Sequence, residues 1–322
     1  MVWSAIYREA WIRIVFYGAG LCVAVPAASN AEYIVAWGER TYGQINAPAG
    51  GDYVAIGAGA RYSLALRSDG ALLSWGQFAS TVPLPSDDEF VAIAAGWEHG
   101  LALKGDGTLV GFGDPSSAAT VPPGNDFVAV SAGTSFSLAL KQDGSLVGWG
   151  WNEYGQAAVP SGNDFVAISA RTTHALALKK DGSIVGWGDN RNGQANPPAG
   201  NDFMAIAAGG GYSVALRTDG ALVSWGLNNF GQTDVPAGSN FVAIAAGLGH
   251  NLALRADGAL VGWGYNSDHQ ADVPAGNHFT AIACGYEHSL ALTTVPEPSS
   301  LAPSLSLAAV ALVVHLWRKR TQ

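Results

Sequence analysis

From Glu32 to Leu292 the chain is written in short apolar runs broken by polar turns, always in the same order. Residues 164–188 show that order in full: "DFVAISA", a short turn, "HALAL", Asp-Gly, then "SIVGWG". The runs are short and alternate on a period of two, or are small throughout, which predicts β-strands rather than helices. Asp-Gly between two such runs predicts a tight hairpin, because the turn needs positive φ and these residues tolerate it. A polar loop ending in Gly-Gln follows the third strand. The Val-Pro segment after it reads as a short, weak outer strand, where proline removes no ladder bond.

The unit repeats. Trp-Gly or Phe-Gly recurs at Trp37, Trp75, Phe112, Trp149, Trp187, Trp225 and Trp263, a period of 37 or 38 residues. Asp-Gly recurs at Asp69, Asp106, Asp143, Asp181, Asp219 and Asp257. A small-residue strand recurs with them, from "VAIGAG" (54–59) to "TAIACG" (280–285). A unit of this length cannot bury its own faces and must stack on its neighbours. Seven units with Ala- and Gly-rich first strands predict an all-β, seven-bladed β-propeller, since small residues let inner strands crowd an axis. The last unit, "TAIACGYEHSLAL" (280–292), has no Asp-Gly strand after it, and "EYIVAWG" (32–38) opens the chain as an unaccompanied third strand. The ring is therefore expected to close by pairing the N- and C-terminal strands.

The spaced pattern G-x-x-H-S-L-A-L, D-G-x-L, W-G-x-N-x-x-G-Q resembles the regulator-of-chromosome-condensation repeat across residues 32–292. The short period is closer to secreted bacterial members such as β-lactamase inhibitory protein II than to the longer eukaryotic repeats. The resemblance implies a propeller. It also carries two known activities, hydrolase inhibition in secreted relatives and nucleotide exchange on a small GTPase in eukaryotic ones. "WGQFASTVPLP" (75–85) and "FGDPSSAATVPP" (112–123) lack the Gly-Gln, so two blade rims are expected to differ in shape.

The two ends have another character. Residues 1–31 read as a secretory signal peptide: Arg8 and Arg13, then apolar "IVFYGAGLCVAV" (14–25), then "PAASNA" (26–31). Ser29 and Ala31 fit the −3 and −1 positions of a cleavage site, cleavage after Ala27 also fits, and an uncleaved anchor is the alternative. Residues 293–322 hold Pro296, Glu297 and Pro298, an apolar stretch 301–317, and Arg318, Lys319 and Arg320. At ~1.5 Å per residue the apolar stretch makes about 26 Å of helix, enough for a thin hydrocarbon core. The basic trio would stay cytoplasmic and leave the repeats outside. This three-part tail resembles the PEP-CTERM sorting signal of exopolysaccharide-producing Gram-negative bacteria, with Pro303 and His315 as departures from a plainer helix. The resemblance implies processing by an exosortase-type enzyme. It also implies transient membrane retention through the C-terminal helix, then delivery to the cell surface or extracellular matrix.

A net charge of −9 and a pI near 5.1 exclude the basic footprint that nucleic acid requires. Of two cysteines, Cys22 lies in the signal segment, leaving Cys284 with no disulfide or cysteine-based zinc site. His99, His174, His250 and His288 share one repeat position, filled elsewhere by Tyr62, Phe136 and Tyr212. One per blade, they are expected to be half-buried aromatics packing on their own blades rather than converging metal ligands. The Asp-Gly pairs are explained by turns and lack the successive oxygen ligands of a calcium loop. No Ser-His-Asp grouping, nucleophile elbow or phosphate loop occurs, and no cofactor is expected.

Antiparallel counting puts the turn after each first strand and the loop after each third strand on one face. That face would carry Trp97, Glu98, Trp151, Tyr154, Arg191, Phe230, Tyr265 and Tyr286, with Arg61. Large aromatics with arginine on a rigid frame are the residue types of binding hot spots, and Tyr and Trp also stack on sugar rings. The resulting expectation is an exported, non-enzymatic propeller presenting one loop-rich face to a protein or polysaccharide. The alternatives are a secreted hydrolase inhibitor-like protein and a polysaccharide-active enzyme.

Overall fold

Each repeat of the computed structural model folds into a three-stranded antiparallel sheet, and seven such sheets form a ring. The structure describes residues 32–294, apart from 78–82, 87–88 and 115–117, together with two short strands, Phe16–Tyr17 and Gly20–Leu21. In blade 1 the inner, middle and outer strands are Tyr53–Ala58, Tyr62–Arg67 and Leu72–Gly76. Blade 2 has Phe90–Ala95, His99–Lys104 and Leu109–Gly113, and blade 3 has Phe127–Ala132, Phe136–Lys141 and Leu146–Gly150. Blade 4 has Phe165–Arg171, His174–Lys179 and Ile184–Gly188, and blade 5 has Phe203–Ala208, Tyr212–Arg217 and Leu222–Gly226. Blade 6 has Phe241–Ala246, His250–Arg255 and Leu260–Gly264.

Blade 7 joins the two ends of the repeat region. Phe279–Cys284 and His288–Thr293 form its inner and middle strands, and Tyr33–Gly38 pairs with the latter in the register Ser289 to Trp37 and Leu292 to Ile34. The core closes with it. Seven clusters of buried side chains each straddle two neighbouring blades, and the one holding Ile34, Leu290 and Leu292 also holds Tyr53, Ile56 and Trp75 of blade 1. Apolar burial therefore runs round the whole ring, and neither face of any blade is left uncovered.

Every inner strand carries a bulge after its first residue, as between Phe127 and Ala129. The bulge turns the next side chain outward, which explains exposed Val91, Val128 and Val166. The expected fourth strand is absent among the described residues: each blade has three. In blades 2, 3, 4 and 6 the outer-strand glycines show where the following segment goes instead. A Cβ at Gly148 or Gly186 would lie 2.4 or 2.5 Å from the carbonyl oxygen of Ala157 or Ala195. The segment after Gly-Gln thus lies across the face of the outer strand instead of pairing along its edge.

The sorting residues Pro296, Glu297, Pro298, Arg318, Lys319 and Arg320 and the stretch 301–317 lie outside the described residues. So does the signal segment 1–31 apart from its two short strands. These pair as a hairpin whose backbone lies against inner strands of blades 1, 2, 4, 5 and 6. Among the described residues no helix is long and apolar enough to cross a membrane.

Candidate functional site

The two kinds of variable loop meet on one face. In each blade the residue after the outer strand donates its N–H to the carbonyl of the inner-to-middle turn. Examples are Gln77 to Arg61 at 3.0 Å, Trp151 to Ser135 at 2.8 Å and Tyr265 to Gly249 at 2.8 Å. The Asp-Gly turns occupy the opposite end. There each aspartate accepts from the backbone two residues on, as Asp143 Oδ1 does from Ser145 at 2.9 Å. Hydrogen bonds from Thr108, Ser145 and Ser183 hold Asp106, Asp143 and Asp181 below the usual carboxylate range.

Gly-Gln loops are structural. Gln44, Gln156, Gln194, Gln232 and Gln270 are buried, and each side-chain oxygen accepts an N–H two residues back, as from Tyr154 to Gln156 at 2.9 Å. Their backbone carbonyls serve the next blade: Trp225 Nε1 and Ser213 Oγ both donate to Gln194 O, at 2.8 and 2.9 Å. The same carbonyl crosses the closure, where Trp37 Nε1 donates to Gln270 O at 3.0 Å. One of the two loops without Gly-Gln substitutes Ala118 O, which takes Trp149 Nε1 and Ser137 Oγ.

The histidine position is corrected by the structure. These side chains are fully buried, not half-buried, and they bond to the next blade instead of packing only on their own. His99, His174, His250 and His288 set Nε2 at 2.9 to 3.1 Å from Ser137, Ser213, Ser289 and Ser63 of the following blade. Each serine donates its own proton to a loop carbonyl, so the imidazole donates from Nε2. Burial holds His99 and His174 down to about 4 and His250 and His288 to about 3. Tyr62 and Tyr212 reach the next blade differently, donating Oη to His99 O at 2.5 Å and His250 O at 2.8 Å. Among the described residues no three His, Cys, Asp or Glu side chains converge on a metal-sized site.

The aromatic residues of the loop face fall into separate groups, because the turn after an inner strand begins beside the axis and the loop after an outer strand begins at the rim. Near the axis, Trp97 and Tyr286 meet edge-on with ring centres 4.5 Å apart, and Tyr286 Oη reaches Thr134 Oγ1 of blade 3 at 3.0 Å. On the rim of blades 3 and 4, Trp151 and Tyr154 meet edge-on at 5.4 Å, and the Arg191 guanidinium lies 4.9 Å from the Tyr154 ring centre. Arg191 also holds Asp189 by both oxygens, Nε to Oδ1 at 2.9 Å and Nη2 to Oδ2 at 2.7 Å, which lowers the Asp189 carboxyl to about 2. On blades 5 and 6, Phe230 and Tyr265 lie 4.7 Å apart. Arg61 stacks at 4.5 Å on Tyr42, a rim aromatic that sequence reasoning passed over. Glu98 offers its backbone carbonyl to Asp114 N at 2.8 Å.

Trp151, Tyr154, Tyr42 and Phe230 are 36, 38, 37 and 54% exposed, so four rings of this face remain open to solvent. A depression of about 660 Å3 lined by Thr134, Ser135, Gly150 and Trp151 runs between the axial and rim groups.

The regulator of chromosome condensation (RCC1) repeat family matches residues 90–117, 127–156, 165–194, 205–232 and 241–270, one segment in each of five successive blades. Five of its seven blades match the regulator of chromosome condensation repeat. Solved propellers agree in fold. Prp20p from Saccharomyces cerevisiae, studied with its binding to Gsp1p and histones, gives a TM-score of 0.70 at 16% identity, covering 90% of this chain and 96% of that one. Human WBSCR16 gives 0.66 at 17% identity, covering 83% and 99%. The ectodomain of the Physcomitrella patens receptor kinase CR4 gives 0.61 at 22% identity, covering 72% and 68%. A search of curated protein sequences finds no match.

One residue of this repeat propeller escaped the sequence reading. Arg171 ends the blade 4 inner strand where the other six units have Gly59, Gly96, Gly133, Gly209, Gly247 and Gly285. At those glycines a Cβ would come within 2.1 to 2.4 Å of the ring three residues on, as at Gly285 against His288. Blade 4 makes room by extending its strand one residue, pairing Arg171 with His174 and setting Thr172 at φ +33°. Arg171 then reaches across the axis to blade 7, where Nη1 donates to Cys284 O at 2.9 Å. The signal was present as one broken column of the repeat.

Proposed function

We propose that this propeller is an exported, non-enzymatic docking protein that takes a protein partner on its loop-bearing face. The observation that carries this reading is the open set of rings on that face, Trp151, Tyr154, Phe230 and Tyr42, held on a frame latched blade to blade. Aromatics with a nearby arginine give large, rigid contact area at low entropic cost, which suits a docking hot spot. Yeast Prp20p, of the same fold, is described with protein partners, Gsp1p and histones, and in another structure with Kap60. Those partners are not carried over, since the likeness at 16% identity concerns fold.

Export rests on the composition of residues 1–31, and surface delivery through an exosortase-type step rests on the order of Pro296, Glu297 and Pro298, the apolar stretch and the basic end. A polysaccharide partner is the second reading, favoured by Trp151 and Tyr154 at the edge of the depression. Pull-down from the secreted fraction, run beside a glycan array, separates the two. Substituting Trp151→Ala, Tyr154→Ala and Phe230→Ala together should abolish capture of the partner, and full retention would end the proposal.

A further inference from the structure

Arg171 is 7% exposed, yet among the described residues no carboxylate pairs with it. Nη1 is satisfied by Cys284 O, and the guanidinium carbon lies 5.4 Å from the Tyr286 ring centre. Nε and Nη2 have no hydrogen-bond partner among the described residues. Those two nitrogens form the side-on edge of a guanidinium, the edge that grips a carboxylate with two parallel hydrogen bonds. The same chain shows that edge in use, for Arg191 binds both oxygens of Asp189 through Nε and Nη2. A buried cation with its fork empty is costly, and here the repeat's glycine has been given up to place it.

We infer that the side-on edge of Arg171 is a carboxylate receptor on the propeller axis, and that its ligand is an aspartate or glutamate side chain of the partner docked on the loop face. The inference deepens the docking reading and rests on it. The depression lined by Thr134, Ser135, Gly150 and Trp151 adjoins the receptor through Thr134, whose hydroxyl pairs with Oη of Tyr286, the ring beside the Arg171 guanidinium. An acidic side chain narrows to a carboxyl on one or two methylenes and can pass there. A sugar ring bearing its carboxyl directly lacks that reach. Specificity follows from the same geometry, since an amide of equal shape has only one acceptor oxygen for the two N–H groups and no charge for the cation.

The test titrates the full chain with glutarate at constant ionic strength, with glutaramide as the neutral control, following the arginine Nε–H resonances. One resonance, absent from Arg171→Lys, should shift saturably with glutarate and not with glutaramide. Arg171→Gly, which restores the residue of the other six units, should fold and weaken glutarate binding roughly tenfold or more, the loss expected for a buried charge-assisted pair. Arg171→Lys keeps the charge without the fork and should weaken it too, which keeps the test valid if the glycine variant does not fold. No saturable shift in the wild type, or equal binding by wild type and both variants, overturns the site. The Tyr154→Ala, Phe230→Ala protein, which leaves the lining of that depression intact, should still bind glutarate, so failure of the docking reading is distinguishable. Partner capture that survives Arg171→Gly while glutarate binding is lost overturns the partner side chain as the source and leaves a free small carboxylate.

Discussion

Acidification should unlatch the ring. Four buried imidazoles donate from Nε2 to a serine of the next blade, and Nδ1 of His174, His250 and His288 is buried with no partner among the described residues to receive a second proton's hydrogen bond. Burial is the main cause of their lowered values. Arg171 lowers His250 and His288 further, to about 3, whereas Asp189 and Asp114 partly offset the effect at His174 and His99, near 4. The unfolded chain binds protons at these sites near pH 6.5 and the folded chain does not, so their contribution is complete above that pH and lost as pH falls toward 4. At pH 5.5 each imidazole costs about 1.4 kcal/mol, and the four together about 6 kcal/mol. That is comparable with the ~5–15 kcal/mol that holds a typical domain folded. Burial raises Glu32 and Glu287, which opposes the loss in part. The lowered aspartates matter only below about pH 4. Urea midpoints measured from pH 7.5 to 5 should therefore fall steeply, approaching four protons. His174→Phe with Ser213→Ala copies the Phe136 and Ala175 pairing found one blade earlier and should remove about one of them. A midpoint that is flat across this range, or a slope unchanged in the double variant, would show that the buried imidazoles do not set the acid limit of the fold.

Three other outcomes follow from named contacts. Trp225→Phe removes the Nε1 hydrogen bond to Gln194 O and should cost about 1 kcal/mol by urea denaturation. Gly285→Ala places a Cβ 2.2 Å from the His288 ring and 2.9 Å from Gly59 O, so it should destabilise by ~1–3 kcal/mol or prevent folding, whereas Arg171→Gly in the same column should not. Cys284 is buried and its thiol is pushed up to about 12, so iodoacetamide at pH 8 should leave it unmodified in the native protein and label it in urea.

The ring could be read from the sequence because a fixed period imposes it. Counting Trp-Gly against Asp-Gly leaves one strand over at each end, and pairing Tyr33–Gly38 with His288–Thr293 is the only way to seat both. The latches were harder to see, because they run between units and not within them. They are nonetheless written in the chain. Where a unit has histidine, the next has Ser137, Ser213, Ser289 or Ser63, and where a unit has Tyr62 or Phe136, the next has Gly100 or Ala175. Reading each repeat alone hides that pairing, and so the histidines looked as if they packed at home. The missing fourth strand has a similar origin in the blades that carry an outer-strand glycine: Val-Pro suits a sheet edge, but Gly148 and Gly186 leave a face bare for the backbone to lie on. Placement of the aromatics near the axis or at the rim depends on which strand the loop leaves. That is why Trp97 and Tyr286 separate from Trp151, Tyr154 and Phe230 although all belong to one face.

Docking through the loop-bearing face leaves the Asp-Gly face free of the partner. Titrating the captured partner against two triple variants tests it directly. Trp151→Ala, Tyr154→Ala and Phe230→Ala alter the loop face, and Gln142→Ala, Lys180→Ala and Thr218→Ala alter exposed turn positions opposite. Affinity should be lost in the first and kept in the second. Affinity kept in the first, or lost only in the second, would contradict it.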